Sequence, residues 1–190
     1  TTGTPFPSSS WSTAISTTVG TMRLAFSSTS TATLTYSVNG VNVTKTIRRF
    51  VYGSPTTTCT WTDGDRTASF NYQDLWWNPA ESGWGVNLAH QGNILFGGLF
   101  TYSPAGRDAW VVGSSLARQL DGSFSGEIAT FTGPAFNASP WSPFVATPAG
   151  SMTLRFRDGD FGTLTYTLGG VFVSKAIVRY RFGRTVPVCR

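Results

Sequence analysis

The chain contains a long internal duplication. When it is shifted by 130 residues, residues 2–59 align without a gap on residues 132–189, and about 23 of the 58 aligned pairs are identical. A match of this length indicates two copies of one folding unit. We therefore interpret residues 1–60 as a partial copy and residues 61–190 as a complete copy. The counterpart of residues 60–130 either precedes this chain in a longer precursor or never existed.

Apolar and polar side chains alternate inside the repeat. Residues 152–157 and 163–168 change character at every position, which is typical of strands with one packed face and one wet face. The turn sequences Asp158-Gly159-Asp160, Gly169-Gly170 and Asn39-Gly40 separate these strands. The repeat is therefore predicted to be built from antiparallel hairpins.

The same rhythm continues through the rest of the chain. We predict an all-β fold, with about seven strands in the complete copy and three in residues 20–52, joined as an antiparallel meander in a barrel or a sandwich. Residues 7–18 and 137–149 are expected to be surface connections, and no helix is predicted. The meander resembles avidin-like and lipocalin-like barrels in rhythm, a likeness of fold alone. The strands expected before Met152 cover residues 84–90, 94–102, 109–113 and 124–131.

The composition agrees with an all-β fold. Only 12% of the residues are charged and 14% are aromatic, which suits strands and tight turns. No stretch reaches 18 consecutive apolar residues, so no membrane-spanning helix is predicted. The net charge is +5, but the basic residues form no run, and nucleic acid is not a predicted partner. No signal peptide opens the sequence, so Thr1 is expected to begin a processed or trimmed protein.

A tryptophan-rich motif covers residues 74–87, DLWWNPAESGWGVN, and is followed by His90-Gln91-Gly92. With the Gly-Pro-Ala-Phe element at 133–136 and a Lys-x-Ile-x-Arg ending, it resembles secreted proteobacterial repeat proteins that carry a WWN–ESGWG–HQG motif. The resemblance covers most of residues 70–189. It implies repeat architecture and secretion, to the cell exterior or the periplasm, and it implies no activity.

The two cysteines, Cys59 and Cys189, occupy equivalent positions in the two copies. If the copies pack about a pseudo-two-fold axis, equivalent positions near that axis approach each other, and we expect one intramolecular disulfide. The alternative is that each cysteine is free or bridges to another chain.

Two pairs of cations share a strand face with apolar residues. Lys175 and Arg179 alternate in phase with Val173 and Ile177, and Lys45 and Arg49 are their counterparts in the first copy. We predict buried stems and structural ion pairs, because unpaired buried charges are costly. Two alternatives would also explain cations in phase with apolar residues: this end of the strand is exposed to solvent, or the cations bind an anionic ligand. The candidate carboxylates are Glu81 and Glu127, and no acid precedes Asp63 in the first copy.

A ligand site is predicted in the segment that only the second copy has. It contains Trp76, Trp77, Trp84 and Trp110, whose flat rings could stack on sugars. The polar candidates beside them are Asn78, Asn87 and Gln91. The alternative is that these tryptophans fill the core.

The sequence contains few of the residues and motifs that are typical of catalytic sites. His90 is the only histidine and no Gly-x-Ser-x-Gly motif precedes a helix, so His90 is interpreted as a packed or turn-capping residue. A glycosidase would need two carboxylates, for which Glu81 and Glu127 are the best pair. The chain has too few histidines and cysteines for a metal cluster, and no cofactor is predicted. The triplets Asp63-Gly64-Asp65 and Asp158-Gly159-Asp160 are read as turns or, alternatively, as calcium ligands.

The sequence therefore favours a secreted, non-catalytic binding or structural module, with carbohydrate as the first expected ligand. A secreted glycan hydrolase that uses Glu81 and Glu127 is one alternative. The other is a protein-interaction module whose incomplete repeat is completed by another chain or completes one.

Overall fold

A computed structural model describes residues 1–5, 8, 10–63 and 65–190. Phe6 of the repeat and Gly64 of the first acidic triplet lie outside the described residues. The described residues form strands, turns and connections without a helix, so the predicted all-β class is confirmed. The strands are β1 (Met22–Phe26), β2 (Thr31–Val38), β3 (Val41–Arg48), β4 (Cys59–Thr62), β5 (Asp74–Trp77), β6 (Gly85–Gln91), β7 (Ile94–Tyr102), β8 (Asp108–Arg118), β9 (Phe124–Thr132), β10 (Val145–Phe156), β11 (Phe161–Leu168), β12 (Val171–Arg179) and β13 (Val186–Cys189).

Eight of these strands close into an antiparallel barrel. Neighbours in the chain pair along β5–β9 and β10–β12, while β9 pairs with β10 and β12 pairs with β5 to complete the ring. Closure removes the exposed edges that an open sheet would present.

Inward-facing apolar residues from all eight strands fill the barrel. Since side chains alternate along a strand, each strand contributes every second residue, as the sequence pattern predicted. The fully buried core residues include Trp76, Val86, Leu88, Leu95, Leu99, Leu116, Phe124, Ile128, Met152, Leu154, Leu164 and Ile177. The barrel interior is thus a packed core, and ligands must be sought at its ends or on its outer wall.

The first copy forms a separate three-stranded sheet of order β1-β2-β3. Met22 pairs with Tyr36 in this sheet, and 130 residues later Met152 pairs with Tyr166 in the barrel. The β2–β3 pairing repeats in β11–β12 with the same offset. Residues 22–48 therefore adopt the strand register of the last three barrel strands.

The two copies are joined by a small sheet of β4 and β13, in which Cys59 lies directly opposite Cys189. The two residues form a disulfide, which confirms the predicted intramolecular bond. The bond links two positions separated by 130 residues and ties the end of the first copy to the end of the second.

Several strand boundaries differ from the expectations. Strand β5 was missed because its four residues lie inside the tryptophan motif and have no turn signal before them. Strand β10 begins at Val145, inside a segment expected to be a surface connection, because its first half pairs with β9. Strand β8 continues to Arg118 rather than ending at residue 113. Among the described residues, no helix is long and apolar enough to cross a membrane.

Candidate functional site

Two of the four candidate tryptophans belong to the barrel core. Trp76 is fully buried and its Nε1 donates to the carbonyl oxygen of Tyr72 at 2.9 Å. Trp84 is 8% exposed and its Nε1 donates to the Glu81 carboxylate at 3.0 Å. Trp77 is half-buried and packs edge-on against Tyr180. Trp76 and Trp84 both belong to the buried core cluster, as the core alternative expected, although Trp84 also borders a small cleft of about 200 Å³.

Trp110 differs because it lies on the outward face of β8. Its side chain is 49% exposed, and its ring is parallel to the Phe131 ring at a centroid distance of 5.8 Å. Phe100 is its partner on β7 and is 53% exposed. Asp108 lies two residues before Trp110 on the same strand, so both side chains point outward. Trp110, Phe100 and Asp108 border a shallow cleft of about 280 Å³, here called the Trp110 cleft.

The two polar candidates, Asn87 and Gln91, have different environments. Asn87 is exposed on the outer wall of β6, where it pairs with Gly98 of β7. Gln91 is buried and bonded to the first copy: its Oε1 accepts from the amides of Tyr52 and Gly53, and its Nε2 donates to the carbonyl oxygen of Phe50. Gln91 therefore holds residues 50–53 against the barrel, and it does not border the Trp110 cleft.

Lys175 forms an ion pair at one end of the barrel. Its Nζ lies 2.6 Å from Oε1 of Glu81, and the other oxygen of Glu81 accepts the Trp84 bond. Burial, together with the nearby Glu81 charge, raises the pKa of Tyr166 to about 12. The turn between β5 and β6 thus places one carboxylate over the inward-facing lysine of β12.

Arg179 is fully buried and takes different partners from those expected. Its Nη2 donates to the carbonyl oxygen of Asn71 at 2.6 Å, and its Nε lies 3.9 Å from Asp74. Arg179 is thus buried and within salt-bridge distance of a carboxylate, as predicted, but that carboxylate is Asp74 on the adjacent strand β5 and neither of the candidates Glu81 and Glu127. Burial, together with the charge of the neighbouring Arg66, lowers the pKa of Arg179 to about 10.

Arg66 was missed by the sequence analysis. Its side chain is fully buried between two carboxylates, with Nη1 3.1 Å from Asp74 and Nη2 2.7 Å from Asp160. It lies in a segment without periodic pattern, so nothing in the sequence distinguished it from a surface arginine. Arg66, Arg179, Asp74 and Asp160 form one buried cluster, here called the arginine cluster.

The other predicted ion-pair residues have no carboxylate or cation partner in the described part of the chain. Lys45 lies with its Nζ 4.2 Å from the centre of the Trp141 ring. Arg49 donates to the carbonyl oxygen of Thr57 at 3.4 Å. Glu127 is exposed on the outer face of β9, since its neighbour Ile128 points into the core. Glu81 and Glu127 therefore do not share a cleft, as a glycosidase pair would have to.

His90 is held by two backbone groups. Its Nδ1 accepts from the amide of Tyr72 at 3.1 Å, so Nε2 carries the proton and donates to the carbonyl oxygen of Gly92 at 3.0 Å. Its ring stacks on the ring of Tyr72. Burial lowers the pKa of His90, and the charges of Arg118 and Arg179 lower it further. With both nitrogens engaged, neutral His90 acts as the packed residue that the sequence favoured.

A cleft of about 760 Å³ lies at the barrel end beside the disulfide. Its apolar walls come from Phe70, Tyr72 and Phe124, and its charged lining residues are Arg118, Arg190 and Asp65. This site, here called the barrel-end cleft, was not predicted because it brings together the segment after β4, the β6–β7 turn and the chain end.

The two acidic triplets do not gather metal ligands. Asp158 caps its own turn by accepting from the amides of Asp160 and Phe161, while Asp160 belongs to the arginine cluster. Asp65 accepts from the amide and the hydroxyl of Thr67. No group of three or more His, Cys, Asp or Glu side chains suited to a metal occurs within the described ranges.

Comparison of the chain with models of protein families, with curated proteins and with solved structures finds no match.

Proposed function

We propose that this chain is a secreted, non-catalytic binding module that takes carbohydrate at the Trp110 cleft. The observation that carries the proposal is the placement of a half-exposed indole and a carboxylate, Trp110 and Asp108, two residues apart on one outward strand face. The apolar face of a sugar ring packs on an indole, while a carboxylate accepts hydrogen bonds from ring hydroxyls. The cleft of about 280 Å³ suits one ring of a longer glycan.

Two further observations support the class of function. The Cys59–Cys189 disulfide suits an oxidising compartment, which favours secretion. The sole histidine is bonded to backbone at both nitrogens. Glu81 is paired with Lys175 in the turn between β5 and β6, whereas Glu127 lies on the outer face of β9. These arrangements favour binding over hydrolysis.

A glycan array probed with the full chain tests the proposal. We expect binding to a defined set of glycans, a loss of roughly ten-fold or more in Trp110→Ala, and a smaller loss in Asp108→Asn. The matched control is Trp141→Ala, which removes another exposed indole that is 59% exposed and lies outside the cleft. Glycan binding that survives Trp110→Ala, or no binding to any glycan, would refute the proposal. A reducing-sugar assay with Glu81→Gln tests hydrolysis separately.

The barrel-end cleft favours a second candidate, a small molecule with a planar apolar body and an acidic group. Its volume of about 760 Å³ lies in the range of small-molecule sites, and its aromatic walls are flanked by two guanidinium groups. Indole-3-acetate and the uncharged indole-3-acetamide are suitable probes for saturation-transfer NMR. We expect the acid to bind more tightly, and Arg118→Gln to remove that preference. Equal binding of both probes would contradict this candidate.

A further inference from the structure

The face of the β1–β3 sheet that corresponds to the barrel interior is apolar, and its Met22, Leu24, Phe26 and Ile47 side chains are exposed to solvent. Phe136 and Trp141 of the complete copy cover another part of this face, at Tyr36 and Lys45. Met22 is 71% exposed and Leu24 is 47% exposed, whereas their equivalents Met152 and Leu154 are fully buried. Contiguous apolar faces of this kind mark interaction surfaces. The other exposed members are Phe26 and Ile47, which correspond to Phe156 and Ile177 of the core cluster.

The backbone of this sheet also matches the barrel wall. A Cβ atom at Gly20 would lie 1.8 Å from the carbonyl oxygen of Ser37, and one at Gly150 would lie 1.8 Å from that of Thr167, the equivalent residue. No described strand pairs with the outer edge of β1 or of β3, whereas the corresponding edges of β10 and β12 pair with β9 and β5. The β1–β3 sheet therefore has the apolar face, the strand register and the two open edges that three strands taken from an eight-stranded barrel would have.

The charges on this face indicate the chemistry of its partner. Lys45 corresponds to Lys175, which binds Glu81, and Arg49 corresponds to Arg179, which lies beside Asp74. Residues 1–62 contain no acid. Two copies of this face packed together would gather four cations without a carboxylate, which is unfavourable in a desolvated interface. A fitting partner must bring carboxylates to the two cations.

Segment β5–β9 brings such carboxylates in the complete copy. Asp74 lies on β5 and Glu81 lies in the turn that follows it. The sequence of residues 2–21 also aligns with residues 132–151, which lead from the end of β9 into β10. The connection through which five preceding strands would enter the sheet is therefore kept in the first copy.

We propose that the β1–β3 sheet is completed into a second eight-stranded barrel by five strands of the β5–β9 type, carried by the same polypeptide ahead of Thr2. The new strands pair with the open edges of β1 and β3 and cover Met22, Leu24 and Ile47. Their first turn places a carboxylate on Lys45. This inference concerns a surface remote from the Trp110 cleft and does not depend on carbohydrate binding.

The two methionines of the chain provide the test, because one lies on the open face and the other is its buried equivalent. Oxidation of each by hydrogen peroxide is followed by peptide mass spectrometry. In the chain as it stands, we expect Met22 to oxidise on the order of ten-fold faster than Met152, since oxidation follows exposure. In a tandem variant with a copy of residues 60–131 joined ahead of Thr2, we expect Met22 to become about as slow as Met152.

A matched tandem variant carries Leu88→Asp and Leu99→Asp in the added copy alone, and its Met22 should remain fast. If the tandem chain does not fold, residues 60–131 are refolded together with the full chain and the same protection is measured. Fast oxidation of Met22 in both arrangements overturns the proposal. So does a dimer of the unaltered chain, detected by sedimentation, in which Met22 is already protected, because a second copy would then be the partner.

Discussion

Trp11 and Trp141 occupy equivalent positions in the two copies, and each packs against the other copy. Trp11 lies against the barrel core, and its Nε1 donates to the carbonyl oxygen of Ser82 at 2.9 Å. Trp141 lies over Lys45 of the open sheet. Each of the two connections thus packs its indole against the other copy. Trp11 packs against the closed core of the barrel, whereas Trp141 packs against the open β1–β3 sheet.

This asymmetry predicts unequal costs for two otherwise identical substitutions. Trp11→Ala removes a half-buried ring from the barrel, so we expect the free energy of unfolding to fall by about 2–3 kcal/mol. Trp141→Ala should cost less than about 1 kcal/mol, because its ring is 59% exposed. Urea unfolding followed by circular dichroism gives both values. Equal losses would mean that the two indoles are buried alike.

The arginine cluster predicts a large effect at a position with no sequence signature. Arg66→Met removes a buried cation that faces Asp74 and Asp160, and leaves two carboxylates close to each other. Breaking a buried ion pair on one side typically costs about 3–5 kcal/mol, and we expect a loss of that order in chemical unfolding.

A matched control for Arg66→Met is Arg155→Met. Arg155 pairs with Asp121, but both side chains are more than half exposed. Exposed pairs contribute about 0–1 kcal/mol, so Arg155→Met should leave the unfolding midpoint nearly unchanged. Similar losses in the two variants would show that Arg66 is not buried as described.

The strand pattern and the disulfide could be predicted from the sequence because both depend on short-range or repeated features. Alternation along residues 152–168 fixes which side chains face inward, whatever the neighbouring strands are. The equivalence of Cys59 and Cys189 required only the alignment of the copies. Neither of these predictions depends on how distant strands pair with each other.

The site residues were harder to predict because their roles depend on register between distant strands. Trp76 and Trp110 are both strand tryptophans, yet one points into the barrel and the other points outward. The partner of Arg179 is set by the pairing of β12 with β5, which joins residues about one hundred positions apart. Arg66 lies in a segment without alternating apolar and polar residues, so the sequence does not indicate that its side chain is buried.

His90 predicts a pH dependence of stability. Burial lowers its pKa in the folded state below the unfolded value of 6.5, so the unfolded chain binds more protons in that range. Stability is therefore complete above about pH 7 and falls as the pH drops through 6.5 towards the folded pKa. The charged groups near His90 are Arg118 and Arg179.

Guanidinium chloride midpoints measured at pH 7.5 and 5.5 test this prediction. We expect the wild-type midpoint to decrease at pH 5.5. In His90→Gln the stability is lower overall, because the bonds to Tyr72 and Gly92 are altered, but the difference between the two pH values should shrink. An unchanged pH difference in this variant would assign the effect to other groups.

The disulfide should stabilise the whole chain rather than the barrel alone, because it joins positions 130 residues apart. Restricting the unfolded chain over a loop of this length contributes about 3–5 kcal/mol. We therefore expect Cys59→Ser/Cys189→Ser to lower the free energy of unfolding by that order while the β-sheet circular dichroism spectrum persists, since the eight barrel strands pair without β4 and β13. Reductant should shift the wild-type midpoint to that of the double variant and leave the variant unchanged. A wild-type midpoint that is insensitive to reductant, with the thiols shown to be free by mass spectrometry, would contradict a stabilising bond.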